Sequence, residues 1–101
     1  MLFVYVTCKN AAEAGKIGES LVKKRLAACA TVIPSAKSFF FWHGKLQKTR
    51  EALLFLKTLG KNKAALEKQI KKMHSYDVPC ILFFKPGTTK EYGKWIENGS
   101  S

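Results

Sequence analysis

Three cysteines and two histidines are the side chains of this sequence that bind soft metal ions. They are Cys8, Cys29, Cys80, His43 and His74. None of them has the C-x2-C or H-x3-H spacing of a structural zinc site, which argues against that class. Cys80 lies beside the loop that begins at His74, and Cys8 ends a strand that can face the same cleft. Thiolate and imidazole ligands together prefer Cu(I) or Zn(II) to Mg(II). We therefore predict His74, Cys80 and Cys8 as metal ligands.

Each of these residues also has a purely structural interpretation, which the sequence leaves open. Cys29 fits a small buried side chain where a helix meets a strand. An imidazolium at His74 would interact well with the dipole of the helix that ends there. His43 falls in a turn and is expected to be exposed.

Catalysis and nucleic-acid binding both lack their usual patterns. No Ser-His-Asp or Cys-His set has supporting spacing, so we predict that the chain is not an enzyme. The net charge of +11 would suit a nucleic acid, but the lysines are scattered along the chain. The strand Glu51-Ala52-Leu53-Leu54-Phe55 also lacks the aromatic pattern of an RNA-recognition motif. We predict no nucleic-acid partner.

The elements that must position these residues follow one another as strand, helix, strand, strand, helix, strand, helix. Residues 2–7 are apolar and β-branched, residues 10–26 have a helical apolar stripe, and Pro34 predicts a bulge in the second strand. Asn10, Asn62 and Thr88 are predicted helix caps. Two crossovers around a hairpin give an α+β fold, a ferredoxin-like βαββαβ sandwich with a short C-terminal helix. Residues 1–101 are predicted to form a single domain.

The hairpin of residues 30–57 is long and apolar on both faces. Phe39 and Phe41 point to one face, and Phe40 and Trp42 point to the other. As one strand, residues 29–42 would span about 46 Å, whereas a domain of this size has a diameter of roughly 34 Å. We therefore predict that Phe39, Phe41 and Trp42 contact another copy of the chain.

Three segments resemble the signature of the CutA divalent-cation-tolerance family. They are Arg25-Leu26-Ala27-Ala28-Cys29 with Pro34, Ser38, Trp42 and Gly44; Glu51 with Lys57-Thr58; and His74, Tyr76 and Pro79-x-Ile81. Cys80 stands where the family usually has a carboxylate, and Ser75 replaces a proline. The resemblance covers essentially the whole chain.

This resemblance implies a homotrimer in which long hairpins pair between subunits. It implies binding of copper or another divalent metal in the response to metal ions, without catalysis. Glu51, Lys57 and Tyr76 match family positions, and they fit either a ligand cleft or an intersubunit hydrogen-bond network. An alternative is a small-ligand-binding or structural trimer that resembles the PII regulatory proteins. That alternative would need a long loop where this chain has a tight turn at Gly44.

The cellular location is also an expectation from composition. An odd number of cysteines excludes a complete set of internal disulfides, and residues 1–8 lack a basic leader. No apolar run reaches the ~20 residues of a membrane span. We therefore expect a cytoplasmic protein with no membrane partner.

Overall fold

The predicted hairpin dominates the computed structural model, which describes residues 1–100. Strands β2 (Cys29–Trp42) and β3 (Lys45–Thr58) have 14 residues each. They are joined by a two-residue turn in which His43 and Gly44 have φ angles of 53° and 74°. Positive φ at both positions is the requirement of a type I′ turn, which matches the twist of a hairpin. The molecule measures 46 × 25 × 22 Å, so the outer part of the hairpin, residues 36–50, projects well beyond the body, and we call it the hairpin arm.

The sheet has four antiparallel strands in the order β2-β3-β1-β4. Strand β1 (Leu2–Cys8) is central, whereas β4 (Ile81–Phe84) and β2 form the two edges. The register of β2 against β3 shifts between Ile33 and Ala36. This shift confirms the bulge predicted from Pro34, which has no N–H for the ladder.

Helices α1 (Ala11–Lys23) and α2 (Lys63–Met73) cover one face of the sheet. The fully buried side chains between the helices and the sheet are aliphatic apart from Cys8, and each large one contributes about 1.5–3 kcal/mol. The largest of them are Val4, Val6, Ile17, Leu21, Leu54, Leu56, Leu66 and Ile70. Helix α3 (Lys90–Gly99) follows β4 and buries Ile96. Among residues 1–100, no helix has the length and apolar character needed to cross a membrane.

The opposite face of the sheet is aromatic and only partly covered. Phe3 and Phe55 lie 5.4 Å apart between ring centroids, and Tyr5 lies 5.8 Å from Phe55. Leu82 and Phe84 at the β4 edge are 47% and 49% exposed. This face therefore leaves apolar side chains exposed at the β4 edge.

Two of the three predicted caps lie at the predicted residue, and one of those two makes a side-chain capping bond. Asn10 caps α1, where its side-chain oxygen accepts from the N–H of Glu13 at 2.9 Å. Asn62 is the N-cap residue of α2, as predicted, but its side chain makes no capping bond, because Asn62 ends a 3-10 turn and its amide donates to Thr58 Oγ1 instead. The prediction at Thr88 is off by one residue, since Thr89 caps α3.

Candidate functional site

His74 lies buried where α2 ends and both of its ring nitrogens are hydrogen-bonded. The backbone N–H of Tyr76 donates to Nδ1 at 3.1 Å, so Nδ1 is an acceptor and the ring proton sits on Nε2. Nε2 then donates to the carbonyl oxygen of Thr7 at 2.7 Å. A metal ion can bind His74 only by displacing one of these bonds.

Glu13 lies against His74 and is the centre of the buried polar contacts. Its carboxylate accepts from the backbone N–H of Ser75 at 2.7 Å, the Ser75 hydroxyl at 2.9 Å and the N–H of Lys9 at 3.2 Å. His74 Nδ1 lies 3.4 Å from Glu13 Oε1. Burial alone would raise the pKa of Glu13, but the bonds from Ser75 and Lys9, together with His74, lower it below the ordinary value.

The Tyr76 hydroxyl donates to Glu51 Oε2 at 2.9 Å, which brings two of the predicted cleft residues together. Burial, the hydrogen bond to Glu51 and the nearby negative charges raise the pKa of Tyr76 to about 12. We call Glu13, Glu51, His74, Ser75 and Tyr76 the loop network, because it fastens the loop after α2 to α1 and the sheet. A cavity of about 470 Å³ adjoins this network, lined by Lys9, Asn10, Ala12, Glu13, Lys16, Ile17, Met73 and Ser75.

Lys57, the third predicted cleft residue, has a different partner. Its Nζ donates to the hydroxyl of Tyr92 on α3 at 3.0 Å and lies 5.1 Å from the centre of that ring. This hydrogen bond raises the pKa of Lys57, against the opposing effect of burial. Glu51 and Lys57 are six residues apart on β3, which corresponds to about 20 Å. The three residues therefore belong to two separate contacts within one subunit.

The predicted metal ligands differ strongly in accessibility. Cys8 is buried, and burial together with the charges of Glu13 and Glu51 raises the pKa of its thiol to about 12. Cys80 is exposed, and Cys29 is half-buried. Within residues 1–100, no three His, Cys, Asp or Glu side chains are placed to hold one metal ion. His74, Cys80 and Cys8 thus form no ready-made site in a single chain, and their binding of metal stays a prediction.

The aromatic residues of the hairpin arm are open to solvent. Phe39, Phe41 and Trp42 are 63%, 75% and 62% exposed. Their contact with another subunit remains a prediction from the sequence.

Sequence reasoning missed Glu13, Ser75 and Tyr92 as parts of these sites. Glu13 lies three residues after the predicted cap Asn10, where a glutamate is common, and Ser75 stood out only as a departure from a motif. Their bond spans 62 positions of the chain, and that between Lys57 and Tyr92 spans 35. The one signal available for Glu13 was that this acidic residue falls on the buried side of α1.

Comparison with known proteins gives a consistent family. The family model of the CutA1 divalent ion tolerance protein matches residues 2–99. The divalent-cation tolerance protein CutA of Archaeoglobus fulgidus is 38% identical over 96 residues, which cover 94% of this chain and 93% of that protein. The chloroplastic protein CutA 1 of Oryza sativa is 33% identical over 98% of this chain, but the chain spans only 56% of its length.

Solved structures agree with the sequence comparison. The structure of the periplasmic divalent cation tolerance protein CutA from Archaeoglobus fulgidus superposes with a TM-score of 0.92. It is 36% identical, and the match covers 98% of each chain. The small α+β fold with one four-stranded antiparallel sheet is therefore shared with CutA proteins.

The expected cytoplasmic location needs correction. One similar protein is described as periplasmic and another as chloroplastic, so the prediction of a cytoplasmic protein is wrong as an inference from this sequence. Reduced cysteines and a missing leader pattern were its only basis, and neither feature identifies a compartment.

Proposed function

The chain belongs to the CutA1 divalent ion tolerance protein family, and from this premise we propose that it is a non-catalytic homotrimer that binds copper or other heavy-metal ions in the response to metal ions. The match of the family model over residues 2–99 is the observation that carries the proposal. The curated relatives are named as tolerance proteins and not as enzymes, which supports a binding role.

The proposed architecture of each subunit is the ferredoxin-like one. Its support is the element order, in which two strand–helix–strand units share a sheet, together with the strand order β2-β3-β1-β4. Helix α3 and the long hairpin are additions to that plan.

Assembly into a trimer is supported by surface that a single chain leaves uncovered. Strands β2 and β4 are both sheet edges with unpaired backbone groups, and two different edges can pair head to tail around a closed ring. The exposed arm residues Phe39, Phe41 and Trp42 add apolar area of the kind that subunit contacts bury. Leaving each such ring in water instead of burying it forgoes about 1.5–3 kcal/mol.

The proposed metal ligands act in an order that follows from their accessibility. Cys80 is exposed and offers a thiol without first breaking a contact. His74 must give up the bond to Thr7 or to Tyr76, and Cys8 must lose a proton that its surroundings hold tightly. A soft ion such as Cu(I) or Zn(II) is therefore expected to bind Cys80 first and to recruit His74 as the loop rearranges.

Calorimetric titration with Zn(II), and with Cu(I) under reducing conditions, tests this proposal. The His74→Ala, Cys80→Ser double variant should lose one ion per chain or bind at least tenfold more weakly. The matched control is His43→Ala, Cys29→Ser, which also removes one imidazole and one thiol and should bind as the wild type does. Unchanged stoichiometry and affinity in the first variant would contradict the proposed site.

A second variant tests the same proposal if removal of His74 disturbs folding. Cys80→Ser alone leaves the loop network intact. Titration with Co(II) should then lack the near-ultraviolet thiolate charge-transfer absorption that the wild type shows. Retention of that absorption would assign the thiolate to another cysteine.

A further inference from the structure

The outer half of the hairpin carries positive charge that no carboxylate in the chain balances. Residues 36–50, the outer part of the hairpin, include four Lys or Arg and no Asp or Glu. Among residues 1–100, the ion pairs of Lys or Arg with a carboxylate lie elsewhere, at Glu19–Lys23 and Glu67–Lys71. The arm cations therefore differ from Lys23 and Lys71 on the helices, each of which pairs with a glutamate one turn away.

Strand register places three of these cations side by side. Lys37 pairs directly with Arg50, and the next pair on the same face is Phe39 with Lys48. Directly opposed residues of an antiparallel pair have Cβ atoms about 4.5–5.5 Å apart, and like charges in that arrangement are destabilising. Lys37, Lys48 and Arg50 thus occupy three corners of a small rectangle, with Phe39 at the fourth.

The nearest acid in sequence gives this face no compensation. Glu51 alternates to the other face of β3 and is buried in its hydrogen bond with Tyr76. Arg50 instead donates from Nη1 to the Ser35 hydroxyl at 3.1 Å, which orients the guanidinium. All three cations are exposed in the single chain.

The rectangle forms the floor of a groove of about 490 Å³. The groove is lined by Lys37, Ser38, Phe39, Lys48, Thr49 and Arg50. Three cations on two neighbouring cross-strand pairs suit an anion that carries several oxygens. A guanidinium such as that of Arg50 binds phosphate through two parallel hydrogen bonds.

We propose that Lys37, Lys48 and Arg50 on the hairpin arm form a binding site for a phosphate-bearing polyanion. The anion relieves the repulsion between the opposed Lys37 and Arg50, which is why the site favours a ligand over an empty state. Phe39 remains assigned to the subunit contact proposed above, and the three cations beside it hold the anion. The site includes no cysteine or histidine and is independent of the proposed metal ligands.

The test is titration of the metal-free full chain with sodium tripolyphosphate at constant ionic strength. Lys48→Gln, Arg50→Gln should weaken binding at least tenfold and abolish the rise in melting temperature that tripolyphosphate gives the wild type. The control Lys68→Gln, Lys72→Gln removes two exposed charges from α2 and should bind within twofold of the wild type. Lys48→Arg keeps the charge and should also retain binding.

Two outcomes would overturn the proposal. Equal weakening in the arm variant and the helix control would mean that overall charge, and not this face, attracts the anion. Binding to a single-stranded oligonucleotide with none to tripolyphosphate would mean that bases, and not phosphates, are recognised. ATP titrated in parallel separates the two possible sources of the phosphates. If ATP binds with the same affinity as tripolyphosphate, the site recognises the phosphates alone. If ATP binds more tightly, the site recognises a nucleotide.

Melting in the absence of any polyanion gives an independent readout. The Lys48→Gln, Arg50→Gln variant should melt at or above the wild-type temperature, because one of the two opposed charges has been removed. A variant that melts well below the wild type without ligand would show that these cations stabilise the hairpin, which contradicts the site.

Discussion

Glu13 holds the loop after α2 in place, although its position suggests only a helix cap. Three N–H or O–H donors from Ser75 and Lys9 converge on its carboxylate, and His74 lies 3.4 Å away. Bonds to an ionised acceptor are about twice as strong as those between neutral groups. The geometry of the candidate metal loop therefore depends on a residue that is not itself a predicted ligand.

Replacing Glu13 by Gln should destabilise the protein in a pH-dependent way. At pH 7 we expect a loss of about 1–3 kcal/mol in the free energy of unfolding, because two or more buried donors lose a charged acceptor. The pKa of Glu13 is lower in the folded protein than its ordinary value of 4.5. Its stabilising contribution is therefore complete above that value and is lost as the pH falls through the folded pKa.

Urea unfolding at pH 7 and at pH 3, at one protein concentration, measures this effect. The difference between wild type and Glu13→Gln should shrink at the lower pH. Glu19→Gln is the control, since Glu19 pairs with Lys23 on the exposed side of the same helix. A difference that stays constant between the two pH values would show that ionisation of Glu13 is not its source.

The sequence could predict single residues of the site but not their partners. His74, Tyr76 and Cys80 fall within one short loop, so their proximity follows from the chain itself. The bonds from Ser75 to Glu13 and from Lys57 to Tyr92 join residues that only the tertiary fold brings together. For the same reason, the hydrogen bonds that occupy both nitrogens of His74 could not be anticipated.

At the scale of elements, α1 sits unusually close to the sheet. A Cβ placed on Gly18 would lie 3.0 Å from Ala30 Cβ and 3.1 Å from Leu54 Cδ1. On the same helix, a Cβ on Gly15 would have nothing within 4 Å. Alanine substitutions at the two glycines therefore separate the effect of packing on stability from the effect of helix propensity.

Gly15→Ala should stabilise the protein by about 0.5–1 kcal/mol, which is the usual helical advantage of Ala over Gly. Gly18→Ala gains the same propensity but should lose about 1–3 kcal/mol to overpacking, so its net effect is zero or destabilising. Chemical denaturation of both variants measures the difference. Equal stabilisation by both would mean that α1 does not approach the sheet as closely as described.

Most elements were predictable because their signals are local. The Asn10 cap and the bulge at Pro34 each follow from neighbouring residues. Asn62 looked equally suited to a cap, but a 3-10 turn places it in helical conformation and Thr58 engages its amide. The side chain of a predicted cap can form hydrogen bonds with other groups that the fold brings within reach, and a sequence pattern does not show those groups.

At the scale of the whole molecule, the projecting hairpin is the feature that one chain does not explain. The length of the arm was predictable because residues 29–42 could form one continuous strand, as they do in β2. The arm presents aromatic rings for assembly and opposed cations for the proposed polyanion site. Both interpretations require that the arm acts outside the body of its own subunit.

The central claim is that this chain works as a trimer built through that arm. Size-exclusion chromatography with multi-angle light scattering, run with and without copper over a range of protein concentrations, tests it most directly. We predict a species of roughly 34 kDa, three times the 11.3 kDa chain, in both conditions. A single species of 11.3 kDa at all concentrations would contradict the account.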